Sequence, residues 1–128
     1  MDEAFRIGLL YQVYGSFLTK NQQSLMHSYF YEDLSLQEIG NNMGISKQAV
    51  SSQLHRAVNK ISNMETQLKV LEKTIIADQA MGEVMNRIHQ TLLTMEDGPA
   101  KEELMREMDE LKLIRDKLMS EESGEEDV

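Results

Sequence analysis

A chain of 128 residues with 41% hydrophobic and 5% aromatic residues has room for one compact core and a projecting arm. Its wealth of Leu, Met, Glu, Lys and Gln favours helices over sheet. The lack of cysteine excludes disulfides and thiolate metal sites and agrees with a reducing compartment. No apolar run is long enough to cross a bilayer and the start Met1-Asp2-Glu3 is acidic, so a soluble cytoplasmic protein without membrane insertion is expected. The net charge of −9 is polarised: residues 1–74 carry seven basic and seven acidic side chains, and residues 75–128 carry six basic and fifteen acidic. Two halves so different in charge are expected to meet different partners.

Phe5, Leu9, Leu10, Val13, Tyr14 and Phe17 have the spacing of one helix face. Thr19-Lys20-Asn21-Gln22 reads as a capping box that opens a second helix, with Leu25, Met26, Tyr29 and Phe30 inward and a break at Glu32-Asp33-Leu34. Ser35-Leu36-Gln37-Glu38 is a second capping box, opening a short helix that ends near Met43. Gly44 suits the left-handed conformation needed just past a helix end, and Ser46 suits the cap of the next helix, which carries Val50, Leu54, Val58 and Ile61 on one face.

Beyond Ile61 no residue type signals a stop. Ile61, Met64, Leu68, Leu71 and Ile75 continue in alternating steps of three and four, a heptad seam that predicts one long helix. Met81, Val84, Met85, Ile88, Leu92 and Met95 form a further apolar series, and Asp97-Gly98-Pro99 breaks it, with Pro99 suited to a first helical position. The last helix presents Leu104, Met108, Leu111, Ile114 and Leu118, with Glu102 and Glu103 in its first turn and Arg115 and Lys117 in its last, charges that complement the helix dipole. Ser120 to Val128 is polar and acidic and is expected to be a disordered tail.

The run Leu34 to Ile61 has the offsets of a helix-turn-helix. Gly40 is the small residue where two helices cross, Gly44 is the turn, and Ile39, Met43, Ile45, Val50 and Leu54 form the apolar set. With these inward, Lys47, Gln48, Ser51, Ser52 and His55 point outward from the start of the second helix, the positions that meet base edges when such a helix enters a major groove. Gln48 suits adenine, Ser51 and Ser52 read tolerantly, and Lys47, Arg56, Lys60 and Lys20 suit phosphates. From Gly44 to Lys73 there are five basic and two acidic residues. That small surplus predicts weak, salt-sensitive binding to double-stranded DNA unless two copies act together. A dimer built on the long helix would place two recognition helices about one DNA turn apart, or a multiple of it.

No enzyme activity and no cofactor are expected. His27, His55 and His89 lack metal-ligand spacing, and no phosphate-cradling glycine loop is present. The pairs Glu102/Glu103, Glu121/Glu122 and Glu125/Glu126 lie on a predicted exposed helix or tail, where nothing would raise a carboxyl pKa for acid–base work. The expected architecture is all-α: a helix-turn-helix domain over 1–62, a helical extension for dimerisation or interaction over 63–119, and an acidic tail over 120–128.

The run LLYQVYGSFLTKNQQSLMHSYFYEDLSLQEIGNNMGISKQAVSSQLHRA resembles the YlxM-like proteins of Gram-positive bacteria, which look like the DNA-reading fourth region of sigma factors. The resemblance rests on Tyr14, Leu18, Thr19, Gln22, Tyr29, Asp33, Ser35, Glu38, Ile39, Ser46, Gln48, Ala49, Val50 and Arg56, and covers roughly Ile7 to Arg87. It implies an all-α fold, a homodimer, and a regulatory role linked to the signal recognition particle, through that particle's protein or RNA. The stretch Ser51-Ser52-Gln53-Leu54-His55 departs from the more aromatic and polar sequence usual in that family.

Overall fold

The computed structural model describes residues 2–120. They form six α-helices: α1 (Glu3–Tyr14), α2 (Lys20–Met26), α3 (Leu36–Met43), α4 (Lys47–Leu68), α5 (Val70–Thr94) and α6 (Pro99–Met119). A 3-10 turn, Gly15–Phe17, follows α1, and a π-helical stretch, His27–Tyr31, continues α2. There is no strand among the described residues.

Two compact units divide the chain, and the first reaches Glu72. Its core holds Ile7, Leu10 and Tyr14 of α1, Leu18, Leu25 and Met26, Ile39 of α3, and Val50, Leu54, Ala57 and Ile61 of α4. The longest helix of this unit, α4, packs against α1, α2 and α3. The α1 face differs by a part-turn from the expected one. Ile7 is buried where Phe5 and Phe17 stand exposed, since Leu10 and Tyr14 share a side with a residue three before Leu10.

Both capping boxes form. Thr19 Oγ1 accepts from the Gln22 N–H at 3.1 Å while Gln22 Oε1 accepts from the Thr19 N–H at 3.0 Å. Ser35 and Glu38 repeat the exchange at 3.1 Å each way. These reciprocal bonds satisfy donors that a helix start leaves free. The second helix ends differently from expectation. Its last turn widens into the π stretch, so Tyr29 is exposed and Phe30 half-buried. The extra residue per turn rotates the following side chains off the inward face. Asp33 then turns the chain at φ 58°.

The second unit begins at Lys73. Within it, Met85 and Leu92 of α5 bury against Met108 of α6, and the Arg115 guanidinium bonds to the Asp78 carboxylate at 2.8 Å and to the Asp78 carbonyl at 3.1 Å. These contacts run the two helices antiparallel. The clasp passes close over Gly82: a β-carbon there would lie 2.9 Å from Arg115 Nη2, the free end of a flexible side chain. Pro99 takes the first position of α6 as expected. The apolar series of both helices are only partly covered, however. Val84, Ile88, Leu104, Leu111, Ile114 and Leu118 are exposed, because two helices alone bury one seam and leave the other sides open. The acidic tail expected over 120–128 lies, apart from Ser120, outside the described residues.

The largest departure from the sequence pattern is at Lys69. The helix expected to run on through Ile75 stops at Leu68, and Lys69 takes the left-handed conformation at φ 56° before α5 starts. Leu68, placed in the predicted seam, is 53% exposed. Leu71 instead turns into the first unit and is buried, which carries that unit past the limit expected at residue 62.

Candidate nucleic-acid interface

Two helices joined by a three-residue turn, Gly44-Ile45-Ser46, build the candidate site. Gly44 sits at φ 72°, where a β-carbon would crowd the following carbonyl. The Gly44 and Ile45 N–H groups both bond back to the Gly40 carbonyl, closing the end of α3. Gly40 is required by close approach rather than by its torsions. A β-carbon on it would lie 2.7 Å from the Ile45 carbonyl oxygen, so the alanine common in such motifs does not fit here without moving the turn. Ser46 caps α4 by accepting from the Ala49 N–H at 3.1 Å. Of the expected apolar set, Ile39, Val50 and Leu54 are buried and Ile45 half-buried, but Met43 is 39% exposed. It stands on the last turn of α3, one residue before Gly44 reverses the chain, where no neighbouring helix covers it.

At about 100° per residue, Val50, Leu54, Ala57 and Ile61 share the inward side of α4. Gln48, Ser52, His55 and Arg56 lie opposite them, and all four are exposed. Asn59 and Asn63 extend the same exposed side. Sequence reasoning passed over both, although they repeat Ser52 and Arg56 at helical spacing. Lys47 is exposed at the first turn; Ser51 is half-buried toward the flank, leaving it less available than its neighbour Ser52. One ring nitrogen of His55 is committed. Its Nδ1 lies 2.8 Å from the Ser51 carbonyl oxygen, which only accepts, so Nδ1 carries a proton and Nε2 is the ring nitrogen left for a partner. Lys60 is exposed, yet its ammonium donates to the Phe17 carbonyl at 2.8 Å, tying α4 to the 3-10 turn. Asn21 at the start of α2, beside Lys20, donates to Gln53 at 2.9 Å. The site therefore brings Gln48, Ser52, His55 and Arg56 onto one open side of α4, with Lys47 exposed at the first turn about half a turn round the helix from Arg56, Ser51 at the edge and Lys60 partly committed elsewhere.

Charge on α4 is one-sided. From Lys47 to Met64 the helix has Lys47, Arg56 and Lys60 and no carboxylate. Lys47 sits at the positive end of the helix dipole, a placement that costs a few tenths of a kcal/mol and that a bound anion would relieve.

The first acid on α4, Glu65, is turned inward and is the one buried charged residue among those described. Its carboxylate accepts from the Tyr14 hydroxyl at 2.6 Å and from the Leu71 and Glu72 N–H groups at 3.0 and 2.9 Å. The Tyr14 hydroxyl in turn accepts from the Val70 N–H at 3.3 Å. One side chain of α4 thus caps the start of α5. Burial alone would raise the Glu65 pKa; the bonds from Tyr14, Leu71 and Glu72, with the Arg6 charge nearby, outweigh it and hold the carboxyl below its usual range. Burial, then the bond to Glu65, pushes Tyr14 up. Nothing in the residue types marks Glu65 as inward. The available signal is its place four residues after Ile61, on the buried side.

The crossing of α3 and α4 about Gly40 and Gly44 defines an all-helical protein of the helix-turn-helix class. The family described as "Putative helix-turn-helix protein, YlxM / p13 like" (UPF0122) matches residues 1–97, and the chain belongs to it. A UPF0122 protein of Desulforamulus reducens is 36% identical over 117 residues, covering 91% of this chain and 97% of that protein. A UPF0122 protein of Symbiobacterium thermophilum is 40% identical over 68 residues, 53% of this chain and 64% of that protein. One of Shouchella clausii is 36% identical over 73 residues, 57% and 67% of the two chains. No helix among the described residues is long and apolar enough to cross a membrane.

Proposed function

We propose that this protein is a non-enzymatic regulator that contacts double-stranded DNA through the outward face of α4. The observation that carries this reading is the exposed face Gln48, Ser52, His55 and Arg56, with Lys47 exposed at the first turn, on a helix whose opposite side is fixed in a core. A rigid second helix with polar side chains at its N-terminal end is what major-groove reading uses. Gln48 pairs with adenine, His55 Nε2, an acceptor when the ring is neutral, suits an exocyclic amino group, and Lys47 and Arg56 hold phosphates. With two or three phosphates neutralised, the logarithm of affinity falls with log salt at a slope of about −2 to −3.

A second reading makes the chain an interaction module for the RNA or protein of the signal recognition particle, with the C-terminal helices as a contacting surface. It is favoured by the exposed Leu104, Leu113 and Leu118 on α6, apolar surface that a DNA duplex has no use for. Fluorescence anisotropy with labelled duplex, particle RNA and particle protein separates the two. The first reading expects salt-dependent duplex binding that falls at least tenfold in Lys47→Ala/Arg56→Ala. Absence of binding to pooled random duplexes at low salt, with binding to particle protein unaffected by the same pair of substitutions, discards it for the second.

A further inference from the structure

Nothing in the sequence asks for a break at Lys69. The stretch Glu65-Thr66-Gln67-Leu68-Lys69-Val70-Leu71 has no glycine, proline or asparagine, and Ile61, Met64, Leu68, Leu71 and Ile75 step on as one helix would. The observed path is locally unfavourable. Lys69 stands at φ 56°, a region that residues with a β-carbon avoid, and Leu68 and Val70 are left 53% and 43% exposed. What offsets this is the buried cluster. Glu65 takes the two N–H groups of Leu71 and Glu72, Tyr14 takes that of Val70 and donates to Glu65, and Leu71 is drawn into the core. A helix pattern on one side and a polar clamp on the other oppose each other over a few residues.

We propose that the joint between α4 and α5 is a two-state hinge, with a bent form clamped by Glu65 and Tyr14 and a straight form in which α4 and α5 join as one helix through Lys69. In the straight form the Leu71 and Glu72 N–H groups bond to the carbonyls of Gln67 and Leu68, four residues back. Lys69 relaxes to right-handed torsions, and Met64, Leu68, Leu71 and Ile75 line one seam. That seam is what a partner helix with its own apolar stripe engages. Such a helix binds the straight form and not the bent one, and so shifts the balance toward it. Without a partner, Leu71 and the Glu65 bonds keep the hinge bent. The inference concerns how α4 continues and is independent of what its outward face contacts.

Solution NMR on the full chain tests it, because the HN–Hα coupling of Lys69 reports φ directly. The wild-type coupling is expected to be that of a left-handed residue. Glu65→Ala removes the clamp; it is expected to move the Lys69 coupling to the helical value, to give the Leu71 and Glu72 amides helix-like exchange protection, and to increase ellipticity at 222 nm. Tyr14→Phe, which keeps the core volume, is expected to give a smaller shift in the same direction. Lys69→Gly relieves the left-handed residue and is expected to retain the bent coupling with a raised Tm. Retention of the left-handed coupling in both Glu65→Ala and Tyr14→Phe overturns the hinge. So does loss of all helical signals from Leu68 to Glu72 in the two variants, which would make the clamp a purely structural cap.

Discussion

The two units of this chain handle apolar residues in opposite ways. In the first, side chains from four helices converge, and Leu10, Leu25, Met26, Val50, Ala57 and Ile61 are wholly enclosed. In the second, two long helices enclose Met85, Leu92 and Met108 and leave Leu113 and Leu118 69% and 68% exposed. Helices that cross one another from several sides cover a centre all round, whereas an antiparallel pair has only one shared seam, whatever its length. The lesson is that helix length and apolar content do not measure how well a region is fixed. The number of directions from which it is packed does.

The comparison predicts unequal costs for the same truncation. Leu25→Ala in the first unit removes a fully buried side chain with no room to collapse, and a loss of about 3 kcal/mol is expected. Leu118→Ala in the second removes a side chain already in water, and a change within about 0.5 kcal/mol is expected. Urea unfolding of the two variants, followed by amide exchange in each unit, measures both. Equal losses would mean that Leu118 is covered in solution, and the contrast between the units would have to be redrawn.

A smaller effect sharpens the contrast through pH. The Glu65 carboxyl is held below its usual range. Its ionised form is therefore bound more favourably in the folded chain, and that stabilisation is complete above the ordinary glutamate pKa of about 4.3. It is lost as pH falls through the lowered folded value. Tyr14 is raised, so its contribution is complete below about 10 and is lost as pH rises through its folded pKa. Glu65→Gln keeps the size but gives up the charge-assisted bonds, and a loss of about 2 kcal/mol at neutral pH is expected. The difference in Tm between wild type and this variant is expected to shrink below about pH 4.3. A difference that stays constant across that range would show that ionisation of Glu65 does not matter.

Much of the first unit was legible because its signals are local. Thr19 with Gln22, Ser35 with Glu38, Gly44 and Ser46 each act within four residues, and each sits where the spacing places it. The outward face of α4 followed from Val50, Leu54 and Ile61 once their side was known. The joint was not legible. Leu68 and Leu71 look equivalent in a heptad, and the choice between them is made by Tyr14, 51 residues before Glu65, through a bond that periodicity cannot express. Gly40 was read for the right reason, but only the distance to the Ile45 carbonyl shows that alanine is excluded. The pattern placed α6 and the later part of α5 correctly, assigned the start of α5 to the preceding helix, and overstated the burial of both, since an apolar stripe marks a face able to be covered and does not supply the cover.

The weakest fixed point of the second unit tests how little holds it. The Arg115–Asp78 pair is partly exposed on both sides, so solvent screens it, and its loss costs about 1 kcal/mol or less. Arg115→Ala therefore leaves the first unit untouched and is expected to lower stability only slightly when read by global unfolding. Its local effect is larger in proportion. Near this end of the second unit the clasp adds the only polar link between α5 and α6 recorded among the described residues, so exchange at the amides of α6 after Leu111 is expected to rise severalfold, while that of α4 stays constant. Gly82→Ala pushes on the same guanidinium from the other side, at 2.9 Å, and gives the same local pattern if Arg115 cannot swing away. A change in α4 exchange would reject the independence of the two units that this contrast assumes.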